Sequence, residues 1–333
     1  MALGALKASM ALTIALLFGT LAAIFGIILW LAGPGVGIGT GLAMVVGFTV
    51  IVTLLQWYFA PNLIRFMTRM RELDPSEYPW LHETLARHAK SAGIKKPKLY
   101  LVMDGTPNAF AFGRTKNDSN VAVHLGLLNT LSKEEVEAVV AHEVGHIRHW
   151  DVAVITLASM VPMLVYYGII FAGSLLAGRD RENRGGGFGA IGVWIGAYAA
   201  QFLSFLIVMH LSRTREYYAD AFSAASTKKP ALLGSALAKI AYGFPAAAPT
   251  DAYRDKRAFY IADPVEGVEV AQAIHRTEAA GVSKTEIEHA IAWERNRGFF
   301  EFFSTHPMTY KRLEALERAE EDIKAGKLTL ATV

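Results

Sequence analysis

The residues of this chain best suited to chemistry are His142, Glu143, Val144, Gly145 and His146. On an α-helix, side chains four residues apart lie one above the other on the same face. His142 and His146 can therefore both reach a single tetrahedral zinc ion. Glu143 is displaced in angle from both imidazoles, so its carboxylate can meet a water beside the metal without ligating it. That makes it the general-base candidate for hydrolysis by an activated water.

A catalytic zinc needs a third protein ligand and one open position. His149, three residues after His146, is offset along the helix and converges poorly on the same ion; it reads as a surface or supporting residue. Glu216, in Ser212-Arg213-Thr214-Arg215-Glu216-Tyr217-Tyr218-Ala219-Asp220, is the better candidate. Asp220 lies one turn beyond it and is spaced to accept a hydrogen bond from the outer ring nitrogen of a ligating histidine.

The motif needs a helix to carry it. Ser132 followed by Glu135 has the form of a capping box, and Val136, Val139, Val140 and Val144 continue at helical spacing to about Trp150. Asp151 is read as closing that helix. Upstream, residues 73–93 read as an amphipathic helix ending at Gly93, and 98–103, 108–113 and 120–125 as strands of a small sheet. Downstream, helices are expected near 230–241, 266–280, 284–297 and 307–325.

Composition adds the remaining elements. The 333 residues are 53% apolar, with a net charge of +3 and no cysteine. Disulfides, thiolate metal sites and cysteine nucleophiles are excluded, so any metal must be held by His and carboxylate. The basic residues form no cluster, which argues against nucleic acid as a partner. Apolar stretches at 10–31, 42–59, 152–177 and 188–211 approach or exceed the ~20 residues that span a bilayer, and read as two transmembrane hairpins. The hairpin of 152–211 explains why Glu216 is so far in sequence from the histidines. The organisation expected is a hairpin over 1–60, a first catalytic part over 61–151, a second hairpin over 152–211, and a second catalytic part over 212–333.

Lys7 precedes the first stretch and Arg65, Arg69 and Arg71 follow the second, which places both termini and the motif helix in the cytoplasm. Arg179, Arg181 and Arg184, between the third and fourth stretches, oppose this assignment. Lys133, Glu134, Glu135, Glu137, Arg148 and His149 flank the motif too densely for a site inside the bilayer. It should sit at or just above the membrane surface.

Taken together, these residues resemble the HtpX family of membrane-bound zinc metalloproteases, which is related to the CAAX prenyl-protein zinc peptidases. The likeness covers the opening hairpin, Asn108-Ala109-Phe110-Ala111-Phe112-Gly113, Ala141 to His146, the Glu216 to Asp220 segment, and Ser304-Thr305-His306-Pro307. It implies an α-helical integral membrane protein with a mainly α, α+β zincin-like catalytic domain carrying a small β-sheet. It implies one Zn2+ per chain on His142, His146 and Glu216, with Glu143 as base. Extended substrate would pair with the strand of Asn108, Ala109 and Phe110. His306 would donate to the developing oxyanion, and Arg312 would support Glu216 and Asp220. The activity implied is endoproteolysis of membrane or misfolded proteins at the cytoplasmic face of the cell membrane, in protein quality control and stress response. Polypeptide substrates, membrane lipid and other membrane quality-control proteases are the implied partners. Met308 stands where the family has a second proline after His-Pro, and 245–300 carries no matching motif. A narrower CAAX-type processing protease and a non-catalytic zinc-binding membrane scaffold are the competing readings.

Overall fold

Between residues 98 and 124, β-branched and aromatic residues alternate with small ones, and this period of two is what a sheet with two covered faces requires. In the computed structural model, which describes residues 3–32, 38–179, 186–242 and 284–333, they form β2 (Lys98–Val102), β3 (Ala109–Thr115) and β4 (Asp118–His124). With the short β1 (Arg71–Glu72) they make one sheet in the order β1-β2-β4-β3. β2 and β4 are parallel, while β1 on β2 and β3 on β4 are antiparallel, so β3 is an edge. Leu99, Leu101, Ala109, Val121 and Val123 point to the main core. Tyr100, Val102, Phe110, Phe112 and Ala122 cluster on the other face with Ile64 and Met70.

The rest of the described chain is mostly helical. The helices are α1 (Leu3–Ala32), α2 (Ile38–Thr68), α3 (Pro79–Ala92), α4 (Leu125–Thr130), α5 (Lys133–Arg148), α6 (Asp151–Arg179), α7 (Gly186–Thr227), α8 (Pro230–Tyr242), α9 (Lys284–Asn296) and α10 (Thr309–Lys324). α3 starts later than its apolar pattern because Ser76 N donates to Asp74 Oδ1 in a turn, and Pro79 then opens the helix. It ends at Gly93, whose φ of 65° suits glycine. The expected helix at 266–280, Arg181 and Arg184, and residues 33–37 between the first two apolar stretches lie outside the described residues.

The chain divides into two compact units. One holds Met1–Lys7, Ala60–Val152 and Ser212–Val333; the other holds Ala8–Phe59 and Ala153–Leu211. In the first, the valines of α5 and Leu233, Leu237 and Ile240 of α8 join the inward sheet residues and Phe222 in one core. In the second, Leu17, Ala158, Val161, Val165, Val208 and Leu211 pack together. Leu12, Ile51, Leu54, Ile195 and Leu203 in that unit stay largely exposed, an apolar exterior that lipid rather than water accommodates. Gly173 lets α6 approach α7 closely, since a Cβ there would stand 2.4 Å from Val193 Cγ1. Among the described residues, four helices are long and apolar enough to cross a membrane, over Gly4–Ala22, Thr49–Thr68, Asp151–Ser174 and Ile191–Thr227.

Candidate active site

α5 begins with the expected capping box: Ser132 Oγ accepts from Glu135 N, and Glu135 Oε2 accepts from Ser132 N. Ser235 and Lys239 of α8 hold the same Glu135 carboxylate, so the start of the motif helix is fixed both locally and by its neighbour. Gly145 sets its distance from α7, because a Cβ there would lie 3.0 Å from Ala219 Cα.

The facing residues of α5 and α7 converge. One ligand atom from each of His142, His146 and Glu216 falls within a 4.8 Å cluster. Nε2 of His142 is 3.1 Å from Nε2 of His146, and each is 3.6 Å from a Glu216 oxygen. The other ring nitrogens are held by carboxylates: His142 Nδ1 lies 2.9 Å from Asp220 Oδ1, and His146 Nδ1 lies 2.5 Å from Asp151 Oδ2. Both Nε2 atoms are thereby aimed at the cluster, the orientation that carboxylate-backed imidazoles give a metal.

Asp151 is where the structure corrects the sequence reading. It does not close the motif helix. α5 ends at Arg148, Trp150 turns the corner with φ 60°, and Asp151 opens α6. The corner swings its carboxylate back onto His146. Arg215 Nε donates to Asp151 Oδ1 at 2.5 Å, and Arg215 Nη2 donates to the His149 carbonyl, which locks the corner to α7. Sequence reasoning missed both residues. The only signal was an acid five positions after His146. His149 is turned away from the cluster, its Nε2 lying 3.1 Å from the Val333 carbonyl.

Arg312, on α10, is almost fully buried. Its Nε and Nη2 donate to the two oxygens of Asp220 at 2.9 and 2.6 Å, and its Nη1 lies 3.2 Å from Glu216 Oε2. His306 comes from the segment before α10, with Nδ1 3.2 Å from Glu216 Oε1. Glu143 Oε2 accepts from Ala111 N, on edge strand β3, at 2.7 Å. Asn108 and Ala109 are buried at the start of that strand, and the Phe110 ring lies in the cluster on the far face of the sheet. The Phe110 ring therefore points away from the main core, and it is the backbone N–H of Ala111, the next residue, that reaches Glu143.

Charge balance identifies what the cluster can hold. Among the described residues, Glu143, Asp151, Glu216 and Asp220 are buried with Arg215 and Arg312 as guanidinium partners and the His306 ring beside Glu216, so the carboxylates outnumber the guanidinium groups by two. Protonating both imidazoles fills that deficit. Burial opposes charge on His146, but the Asp151 hydrogen bond and the Glu216 carboxylate outweigh burial and raise it to about 9. His142 is raised against burial by Asp220 and Glu216. One divalent cation fills the same deficit, and two imidazoles with one carboxylate are a donor set that suits zinc. Burial raises Glu143, against the pull of the two imidazoles.

Such a cluster in a chain whose described residues include four apolar helices long enough to cross a membrane defines a membrane-bound metalloprotease, and the chain belongs to peptidase family M48, a family of zinc metalloproteases whose model matches residues 75–320. Among individual relatives, it is similar to the Protease HtpX homolog of Aeropyrum pernix, 35% identical over 318 residues that cover 93% of this chain and 97% of that one. The Protease HtpX homolog of Methanothermobacter thermautotrophicus is 40% identical over 236 residues, 71% of this chain and 85% of that one. The crystal structure of S. mikatae Ste24p has a TM-score of 0.49 and 17% identity, covering 95% of this chain and 66% of that one.

Proposed function

We propose that this protein is a zinc-dependent endopeptidase of the cell membrane that cuts membrane or misfolded polypeptides at the cytoplasmic face. The observation that carries the proposal is the convergence of His142, His146 and Glu216 within 4.8 Å, beside Glu143. His142, His146 and Glu216 hold the ion, in a zincin-like domain assembled from 61–151 and 212–333, and the segments 1–60 and 152–211 form membrane hairpins. Asp220 and Asp151 aim the two imidazoles, and Arg312 balances Glu216 and Asp220. What a bound zinc ion supplies is Lewis acidity, which makes water acidic enough to lose a proton near neutral pH.

The remaining steps belong to the chain. Glu143 takes the proton of the attacking water onto its carboxylate and delivers it to the leaving amine; burial raises its proton affinity toward what that double role needs. Edge strand β3 supports pairing with an extended substrate, beginning at Asn108, Ala109 and Phe110. His306 donates to the oxyanion as it develops on the substrate carbonyl. The cytoplasmic assignment rests on Lys7, Arg65, Arg69 and Arg71 around the first hairpin.

The test uses the purified full-length protein, with Glu143→Gln and His142→Ala compared for zinc content and casein cleavage. Glu143→Gln should keep zinc and lose cleavage by about 10²-fold or more, while His142→Ala should lose both. Full activity in Glu143→Gln refutes the mechanism. Bound zinc with no chelator-sensitive cleavage in the wild type favours a structural scaffold.

A further inference from the structure

Three phenylalanine rings of one short segment face outward. The 3-10 turn Gly298–Phe303 exposes Phe299, Phe302 and Phe303 at 69, 57 and 44%. The Phe299 ring lies 6.0 and 5.9 Å from those of Phe302 and Phe303, so the three form one patch. The single charge of the segment does the opposite. Glu301 is turned inward, its Oε1 accepting from Met308 N at 3.1 Å and its Oε2 accepting from Lys311 Nζ. A turn that faces water presents its charge and hides its rings. Here the charge is folded in and the rings are out, an arrangement that suits a non-aqueous neighbour.

The segment is also tied to the helix that carries the last apolar run. Arg213 Nη1 donates to the carbonyls of Glu301 and Ser304 at 2.8 and 2.6 Å. Arg213 is the first charged residue of α7 after the apolar run that ends at Leu211. Two residues of helix rise by about 3 Å. Rings tethered to Arg213 are therefore held within two residues of the end of that apolar run along α7, and where the run spans a bilayer its end lies in the interfacial zone in which aromatic side chains concentrate.

We propose that Phe299, Phe302 and Phe303 dip into the bilayer interface as a lipid-contacting element. By doing so they fix the height above the membrane of His306, three residues downstream. The inference requires only that α7 spans the membrane, and it stands whether or not His306 takes part in catalysis.

The chain has no cysteine, which allows clean single-site labelling of the full-length protein. Phe299→Cys, Phe302→Cys and Phe303→Cys each carry a nitroxide in vesicles of phosphatidylcholine and phosphatidylglycerol. Collision with oxygen and with a water-soluble nickel chelate is then measured by electron paramagnetic resonance. Lys324→Cys, at a side chain 73% exposed, is the aqueous control. The expected result is an oxygen-to-nickel ratio several-fold above the control at all three positions. A ratio equal to the control overturns the proposal, because the rings then face water. Low collision with both reagents also overturns it, because polypeptide then covers them. A photoreactive benzoylphenylalanine at position 302 keeps an aromatic ring in place and gives a second measurement. Lipid adducts support the proposal, and adducts to peptide alone refute it.

Discussion

Replacing Gly145 with alanine puts one methyl group between the two helices that carry the metal-site residues. Its Cβ would stand 3.0 Å from Ala219 Cα, 3.1 Å from Phe222 Cβ and 3.3 Å from the Ala219 carbonyl oxygen. Non-bonded carbons rest about 3.5–4.0 Å apart, so α5 and α7 must separate there by roughly half an ångström. The obstacle is mainly backbone and cannot swing aside. Overpacking of this kind costs about 1–3 kcal/mol, and alanine's better helix propensity offsets about 1 kcal/mol of it, so the fold survives. The metal site is less forgiving. Metal–ligand distances hold to within about 0.2 Å, and Gly145 lies beside His146 while Ala219 is three residues from Glu216 on the opposing helix. Gly145→Ala should therefore weaken zinc binding about tenfold or more, the scale seen when the support of a metal ligand is disturbed. Competition with a chromophoric chelator on the detergent-solubilised protein measures it. Gly196→Ala, where a Cβ meets nothing within 4 Å, should leave affinity unchanged. If Gly145→Ala binds zinc as tightly as the wild type, the close approach of α5 and α7 does not set the ligand geometry and the reasoning is wrong.

Three further outcomes follow from the same contacts. Asp151→Asn removes the charge behind His146 and the partner of Arg215; zinc affinity should fall about 10–100-fold with helical content unchanged by circular dichroism, and unaltered affinity would count against an aiming role. Arg312→Met leaves Asp220 and Glu216 without their guanidinium, so the chelated protein should lose about 3–5 kcal/mol in unfolding, partly restored by zinc; equal stability with and without Arg312 would show that the carboxylates are neutralised otherwise. Burial raises Glu294, on α9, from 4.5 to about 7, despite its hydrogen bond from Tyr310 N. The folded state then holds a proton that the unfolded state gives up, so stability should decline by up to about 3 kcal/mol as pH rises from 4.5 through 7. Glu294→Gln should flatten that slope in pH-dependent unfolding.

Much of this architecture was legible in the order of residues. The spacing of His142 and His146, the capping box at Ser132 and Glu135, the period-two strands and the long apolar runs each express a local rule, in which neighbours along the chain decide the outcome. Tertiary structure decided what depends on corners and on contacts between distant segments. Asp151 looked like a helix terminator because it stands where the pattern of the motif helix gives way to the next long apolar run. Its return onto His146 depends on Trp150 taking a left-handed conformation and on Arg215 arriving from α7, neither of which is local. Arg312 lies 92 residues beyond Asp220, and the family likeness, not any periodicity, pointed to it before the fold brought them together. The sequence by itself determined the pair of imidazoles and the helix beneath them. Spacing offered Asp220 as a carboxylate behind an imidazole, but only the packing of α5 against α7 decided that it faces His142 and that Asp151 faces His146, because electrostatic partners in a buried site are chosen by distance in space and not along the chain.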